Sequence, residues 1–215
     1  MLQFTLFGFP IRIHWMFWLV GCLLVFHLVT SSNPQDLQKL AVWLIVFFVS
    51  ILWHELGHAF AMRKYGGRPD ILLYGMGGVC SSVGRYTRKQ SMIISAAGPA
   101  AGFSLALVAY FLLHTSPVMN SYFVLYALKK MFFINLFWTV LNLLPIQPLD
   151  GGQIFRSFMS NTNPSIVPKV GMVTGGIIAV LSLVFLNSLF MAIMFGYLAY
   201  QNWKIGQGQS FRMPF

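Results

Sequence analysis

The chain has 215 residues, 57% of them hydrophobic and only 8% charged, with a mean hydropathy of +0.71 and a formal net charge of +10. A soluble domain carries about 25% charged residues, so this composition excludes a water-exposed globular surface and makes lipid the expected solvent. No compact basic face with interleaved aromatics is visible, so the positive charge is read as membrane topology, and nucleic acid is not an expected partner.

Taken in chain order, an apolar leader, MLQFTLFGFP, precedes a first apolar segment at about 14–30. Arg12 lies before that segment, but no A-x-A site follows it, so signal cleavage is not expected. A second segment, at about 39–63, contains HELGH. Residues 71–84, ILLYGMGGVCSSVG, are too short and too rich in glycine for a span. Extended backbone in lipid must pair or lie at the interface, so they read as a small hairpin dipping into the membrane, or as an interfacial loop. Further apolar segments follow at about 90–113 and 122–146, and two short ones share 169–203, divided at Asn187 and Ser188. The expected fold is an all-α polytopic membrane protein of about six transmembrane helices, with a β-hairpin after the second. It is expected to be one domain over 1–215, with a core at about 39–160, a first helix within 1–38 and two C-terminal helices within 161–215.

Basic residues orient this map. Arg63, Lys64, Arg68, Arg85, Arg88 and Lys89 fall between the second and third segments, which predicts a cytoplasmic loop. Arg12, Arg156, Lys169, Lys204 and Arg212 then fall on the same side, with both termini. The loops SSNPQD and HTSPVMNS, nearly free of positive charge, face outward, and the expected location is the cell membrane. Lys129 and Lys130 fit this map less well and are expected to cap or snorkel. Cys22 and Cys80 form no zinc-type or disulfide pattern and read as packing residues.

The chain has four acidic residues and five histidines, yet Glu55, His54 and His58 all sit in one apolar segment. Ionisable residues in a span are expensive and mark function. On a helix, positions i and i+4 share a face, so His54 and His58 can grip one metal ion. Glu55 can then reach a water on that ion, which is the H-E-x-x-H arrangement of a zinc hydrolase. Gly57 is expected to leave space beside the metal. The alternative is a buried His–Glu–His hydrogen-bond cluster joining helices. A catalytic zinc needs three protein ligands and an open position. His14, His27 and His114 are candidates for the third, but each lies near a predicted helix end, where interfacial or packing roles are expected. Asp150 stands in NLLPIQPLDGGQIF, where Pro145 and Pro148 break the fourth helix at the cytoplasmic depth expected of His54 and His58. From the residues alone, Asp150 as ligand and Asp150 as cap of a following helix remain equally open.

HELGH at 54–58, GPAAG at 98–102 and NLLPIQPLDGG at 142–152 together resemble the site-2 protease family of intramembrane zinc metalloproteases. YGMGGV at 74–79 is similar to that family's membrane-inserted hairpin, and FGFPIRIHW resembles its first-helix entry. The likeness covers about 5–160 and is closest to the short archaeal and sporulation-type forms, with no PDZ or CBS domain expected. One departure is Gly102, where the family often has an asparagine; small-residue helix packing explains GPAAG without chemistry.

The resemblance implies one zinc ion held by His54, His58 and Asp150, with Glu55 as general base. It implies that Asn142 lies near the catalytic centre, holding substrate backbone or the oxyanion. The implied reaction is hydrolysis, by zinc-activated water, of a peptide bond within or near a transmembrane segment of a membrane protein. Strand addition at 71–84 is an expected mode of substrate capture. The alternatives are an inactive zinc-binding membrane scaffold and, more remotely, a metal transporter, which would show repeat symmetry and a polar pathway.

Overall fold

The computed structural model describes residues 1–75, 77–115 and 121–209. Most of the outer loop expected at 114–121, as well as Met76 of the hairpin and Arg212, lies outside the described residues. Two compact units are formed, one from Met1–Arg85 with Ala97–Thr139, the other from Tyr86–Ala96 with Val140–Phe215.

The first unit opens with strands, which corrects the expectation of an apolar leader into a helix. Strands β1 (Leu2–Leu6) and β2 (Phe9–Ile13) form an antiparallel hairpin that turns at Phe7 and Gly8, with φ of 52° and 81°. The period-two signal was present in β2, where Phe9, Ile11 and Ile13 are buried and Pro10 is exposed. It was hidden because the apolar turn FGFP joins β1 to β2 in one run that reads as a leader. β2 runs parallel to β3 (Arg68–Tyr74), and β3 turns back into β4 (Gly77–Val83), so the order is β1-β2-β3-β4. The hairpin expected at 71–84 is therefore half of a four-stranded sheet.

Ile11 pairs with Ile71 and Ile13 with Leu73 in the parallel register, and all four are buried. Against them packs α3 (Pro34–Lys64) through Phe47, Ile51, Leu52, Leu56 and Ala59. On the other face of the sheet, Arg12 and Asp70 form an ion pair. Arg63 fastens the first hairpin to the end of α3: it donates to Phe7 O at 2.7 Å and lies over the Phe9 and Phe60 rings. α3 begins at Pro34 rather than near residue 39, because Asn33 accepts from Gln35 N at 3.0 Å and Pro34 supplies the first-turn geometry. The single first helix expected at 14–30 is instead α1 (Trp15–Leu23) and α2 (Phe26–Val29), divided where Val25 leaves helical geometry and buries its side chain. α4 (Arg88–Thr115) and α5 (Tyr122–Asn142) contribute to both units. The Lys130 ammonium lies over the Trp43 and Tyr126 rings.

In the second unit α5 stops at Asn142, short of the expected 146, since Pro145 cannot continue it. After a loop at 143–149 comes α6 (Asp150–Met159), a short helix not marked in the sequence, then α7 (Ile166–Val184) and α8 (Leu189–Gly206). The division expected at Asn187 and Ser188 is present: Asn187 has φ 47°, and Ser188 caps α8 by accepting from Met191 N at 3.4 Å.

Among the described residues four helices, α3, α4, α5 and α7, are long and apolar enough to cross a membrane, against about six expected. The protein is thus a mostly helical membrane protein, with a four-stranded sheet where a hairpin was expected.

Candidate metal centre

The last turns of α3 carry a polar stripe. Ser50, His54 and His58 follow at i, i+4 and i+8, all buried, with Glu55 buried beside them at 4% exposure. The two rings meet edge to face, with their Nε2 atoms 3.1 Å apart. Two nitrogens on one tetrahedral zinc at about 2.05 Å would stand about 3.3 Å from each other. The pair therefore has the spacing of two imidazoles aimed at one ion, and imidazole nitrogen is a donor zinc prefers.

Glycines on neighbouring elements make room for this stripe. A Cβ at Gly98 of α4 would fall on the His58 ring, 2.5 Å from Cε1. One turn on, a Cβ at Gly102 would meet Thr139 Oγ1 at 2.9 Å, with His54 Nδ1 and Asn135 Oδ1 each at 3.8 Å. The two glycines at i and i+4 in GPAAG thus form the groove that holds the two histidines at i and i+4 in HELGH. Gly57 does not leave space beside a metal, contrary to expectation: a Cβ there would lie 2.5 Å from Ala97 O, so Gly57 serves the close approach of α3 and α4. Strand β4 passes over the carboxylate, where a Cβ at Gly78 would lie 2.5 Å from Glu55 Cδ.

Two residues on this face were missed in the sequence. Asn135 is buried and donates from Nδ2 to Ser50 Oγ and Met131 O, both at 2.8 Å. Thr139 donates to Pro99 O at 3.3 Å. The signal was available: Asn135 and Thr139 are polar residues four apart in an apolar helix, the same anomaly that singled out HELGH.

The other candidates are carried by other elements. Asn142 is the last residue of α5 and is buried at 9% exposure. Asp150 is the first residue of α6, with Leu149 in the cap position, so it does not serve as the helix N-cap. His14 caps α1, accepting from Met16 N at 3.4 Å; His27 lies in α2; His114 Nδ1 is 2.8 Å from Tyr110 O at the end of α4. Cys80 Sγ rests 3.7 Å from Met62 Sδ, and burial pushes its thiol well above the ordinary range, as suits a packing residue.

With this geometry in view, residues 42–189 match Peptidase family M50, and the chain belongs to that family. A zinc metalloprotease of Methanocaldococcus jannaschii is 31% identical over 162 residues, covering 73% of this chain and 44% of that protein. The chain thus spans less than half the length of that relative. The solved structure of the site-2 protease from the same organism superposes with a TM-score of 0.67 over 100% of this chain and 99% of that one, at 23% identity, and so shares its fold.

Proposed function

We propose that the chain is an intramembrane zinc metalloendopeptidase that hydrolyses a peptide bond within or near a transmembrane segment of a membrane protein. The observation that carries this reading is the pair of buried imidazoles, Nε2 to Nε2 at 3.1 Å, set beside buried Glu55 in an apolar helix of an M50 family member. His54 and His58 supply two zinc ligands and Asp150 the third, a donor set of nitrogen and carboxylate oxygen suited to catalytic zinc. Zinc, when bound, acts as a Lewis acid that polarises the carbonyl and brings the pKa of water near 7.

The chain's own residues do the rest. Glu55 takes the proton of the attacking water and returns it to the leaving amine. Asn142 donates its amide to the substrate backbone or to the developing oxyanion. Its placement at the end of α5, just before the proline-broken loop, supports a side chain held at the break rather than within a span. The substrate helix has to unwind, because helical peptide bonds are already hydrogen-bonded. Among the described residues β4 pairs with β3 alone in the sheet order, and it crosses Glu55 at Gly78, which supports capture of the unwound segment by strand addition at that edge.

Six crossings in the cell membrane, with α1–α2 and α8 completing the set and both termini cytoplasmic, fit the loop charges. Reporter fusions at both termini test that topology; an outward terminus contradicts it.

Cleavage of a reporter transmembrane substrate by the purified chain tests the reading. Cleavage that needs zinc and is lost in Glu55→Gln is expected. Zinc retained without cleavage of any substrate offered favours an inactive scaffold, and zinc uptake into proteoliposomes a transporter.

A further inference from the structure

Asn202, in the last turns of α8, is fully buried at 0% exposure. Its side chain makes three hydrogen bonds, all with backbone. Oδ1 accepts from Gln147 N at 3.3 Å, and Nδ2 donates to Gln147 O and to Leu198 O, each at 2.8 Å. The amide orientation is unambiguous, since the reverse would set a side-chain oxygen against two carbonyls. Asn202 thus pairs with Gln147 as a neighbouring peptide group would.

Two glycines make this possible. A Cβ at Gly171 of α7 would lie 2.7 Å from Asn202 Cγ, and a Cβ at Gly152 of α6 would lie 2.7 Å from Gln147 N. α6 and α8 therefore both bear on Gln147 in the loop between α5 and α6, and α7 packs on the Asn202 amide. Leu149 N donates to Ile146 O at 2.8 Å, so the chain turns directly from the clamped peptide into Asp150. The loop has no helical or sheet ladder of its own to fix its path.

We infer that Asn202 is a positioning residue for Asp150: by clamping Gln147, it sets where α6 begins and where its first carboxylate stands. This rests on the proposed role of Asp150 as a zinc ligand. Outer partners that orient ligands typically change metal affinity by about 10- to 100-fold when removed.

The test is competition for zinc by a chromogenic chelator on the full chain in mild detergent, with Asp150→Ala as reference. Asn202→Ala is expected to give up zinc to about 10- to 100-fold less chelator than the unaltered chain, and to speed amide exchange in the peptide 143–149. Gly171→Ala, which keeps the amide but crowds it, is expected to move zinc affinity in the same direction. Should Asn202→Ala fail to fold, Asn202→Ser and Gly171→Ala decide the matter by the same readout. Wild-type zinc affinity in the folded Asn202 and Gly171 variants, with zinc lost in Asp150→Ala, overturns the clamp alone. Wild-type affinity in Asp150→Ala as well overturns the ligand role, and the clamp with it.

Discussion

Gly78 lies directly against Glu55, with a Cβ at position 78 due to fall 2.5 Å from the carboxylate carbon. Strand β4 and the buried acid of α3 therefore share a space that no side chain at residue 78 can enter. Gly78→Val is expected to displace Glu55 while leaving His54 and His58 in place. Proteolysis falls by about 100-fold or more, the scale of a lost general base, with zinc retained. Zinc content and cleavage rate measured on one preparation check this; unchanged cleavage contradicts it.

Glu55→Gln keeps the size of the side chain and removes its basicity. Zinc occupancy is expected to hold while the cleavage rate falls about 100- to 10,000-fold. A variant that still cuts at the original rate removes Glu55 as the base.

Gly98→Ala acts on the other side of the pair. The added methyl meets the His58 ring, so the ring has to move, and zinc content is expected to fall along with activity. The measurement is zinc per chain after dialysis against a weak chelator, where full occupancy contradicts the expectation.

Asn135→Ala takes the donor from the buried Ser50 hydroxyl and from Met131 O. The expected loss is about 1–3 kcal/mol, the cost of leaving a buried polar group unsatisfied, seen as a lower melting temperature in detergent. No change would mean that the polar stripe beside His54 is not needed for stability.

If β4 captures substrate by strand addition, proline at positions whose N–H points away from β3 is expected to slow cleavage, because each removes a donor from the open edge. The β3–β4 ladder and the zinc content stay intact. Cleavage at the original rate in these variants sinks the capture step.

Much of the centre was legible because its residues are costly where they stand. His54, Glu55 and His58 in an apolar helix announce themselves by spacing and by chemistry. Asn135 and Thr139 carry the same kind of signal more quietly, since neutral polar groups are cheaper to bury than ionisable ones. The hairpin at 71–84 was visible in its glycines and β-leaning residues. The hairpin at 2–13 was not, although β1 alternates, with Leu2, Phe4 and Leu6 on one face and Gln3 and Thr5 on the other: the apolar turn FGFP joins it to β2 in one run that reads as a leader. The break at Val25 has no proline or glycine to mark it, and the start of α3 was missed because Asn33–Pro34 reads equally as turn and as cap. α6 entered only as the alternative that Asp150 caps a following helix, because its two leading glycines look like loop; Gly151 and Gly152 in fact pack against the backbone of Leu144 and Ile146. Asn202 gave no warning at all, since a single asparagine near the end of a helix is ordinary until its partner is seen.

The most direct measurement is the metal content, by elemental mass spectrometry, of the chain and of Asp150→Ala, both purified in mild detergent without chelator. The account expects about one zinc per chain in the former, as three protein ligands and an open position would hold, and little in the latter. No metal in the unaltered chain after zinc is offered back would contradict it, leaving His54, Glu55 and His58 as a hydrogen-bonded cluster within α3.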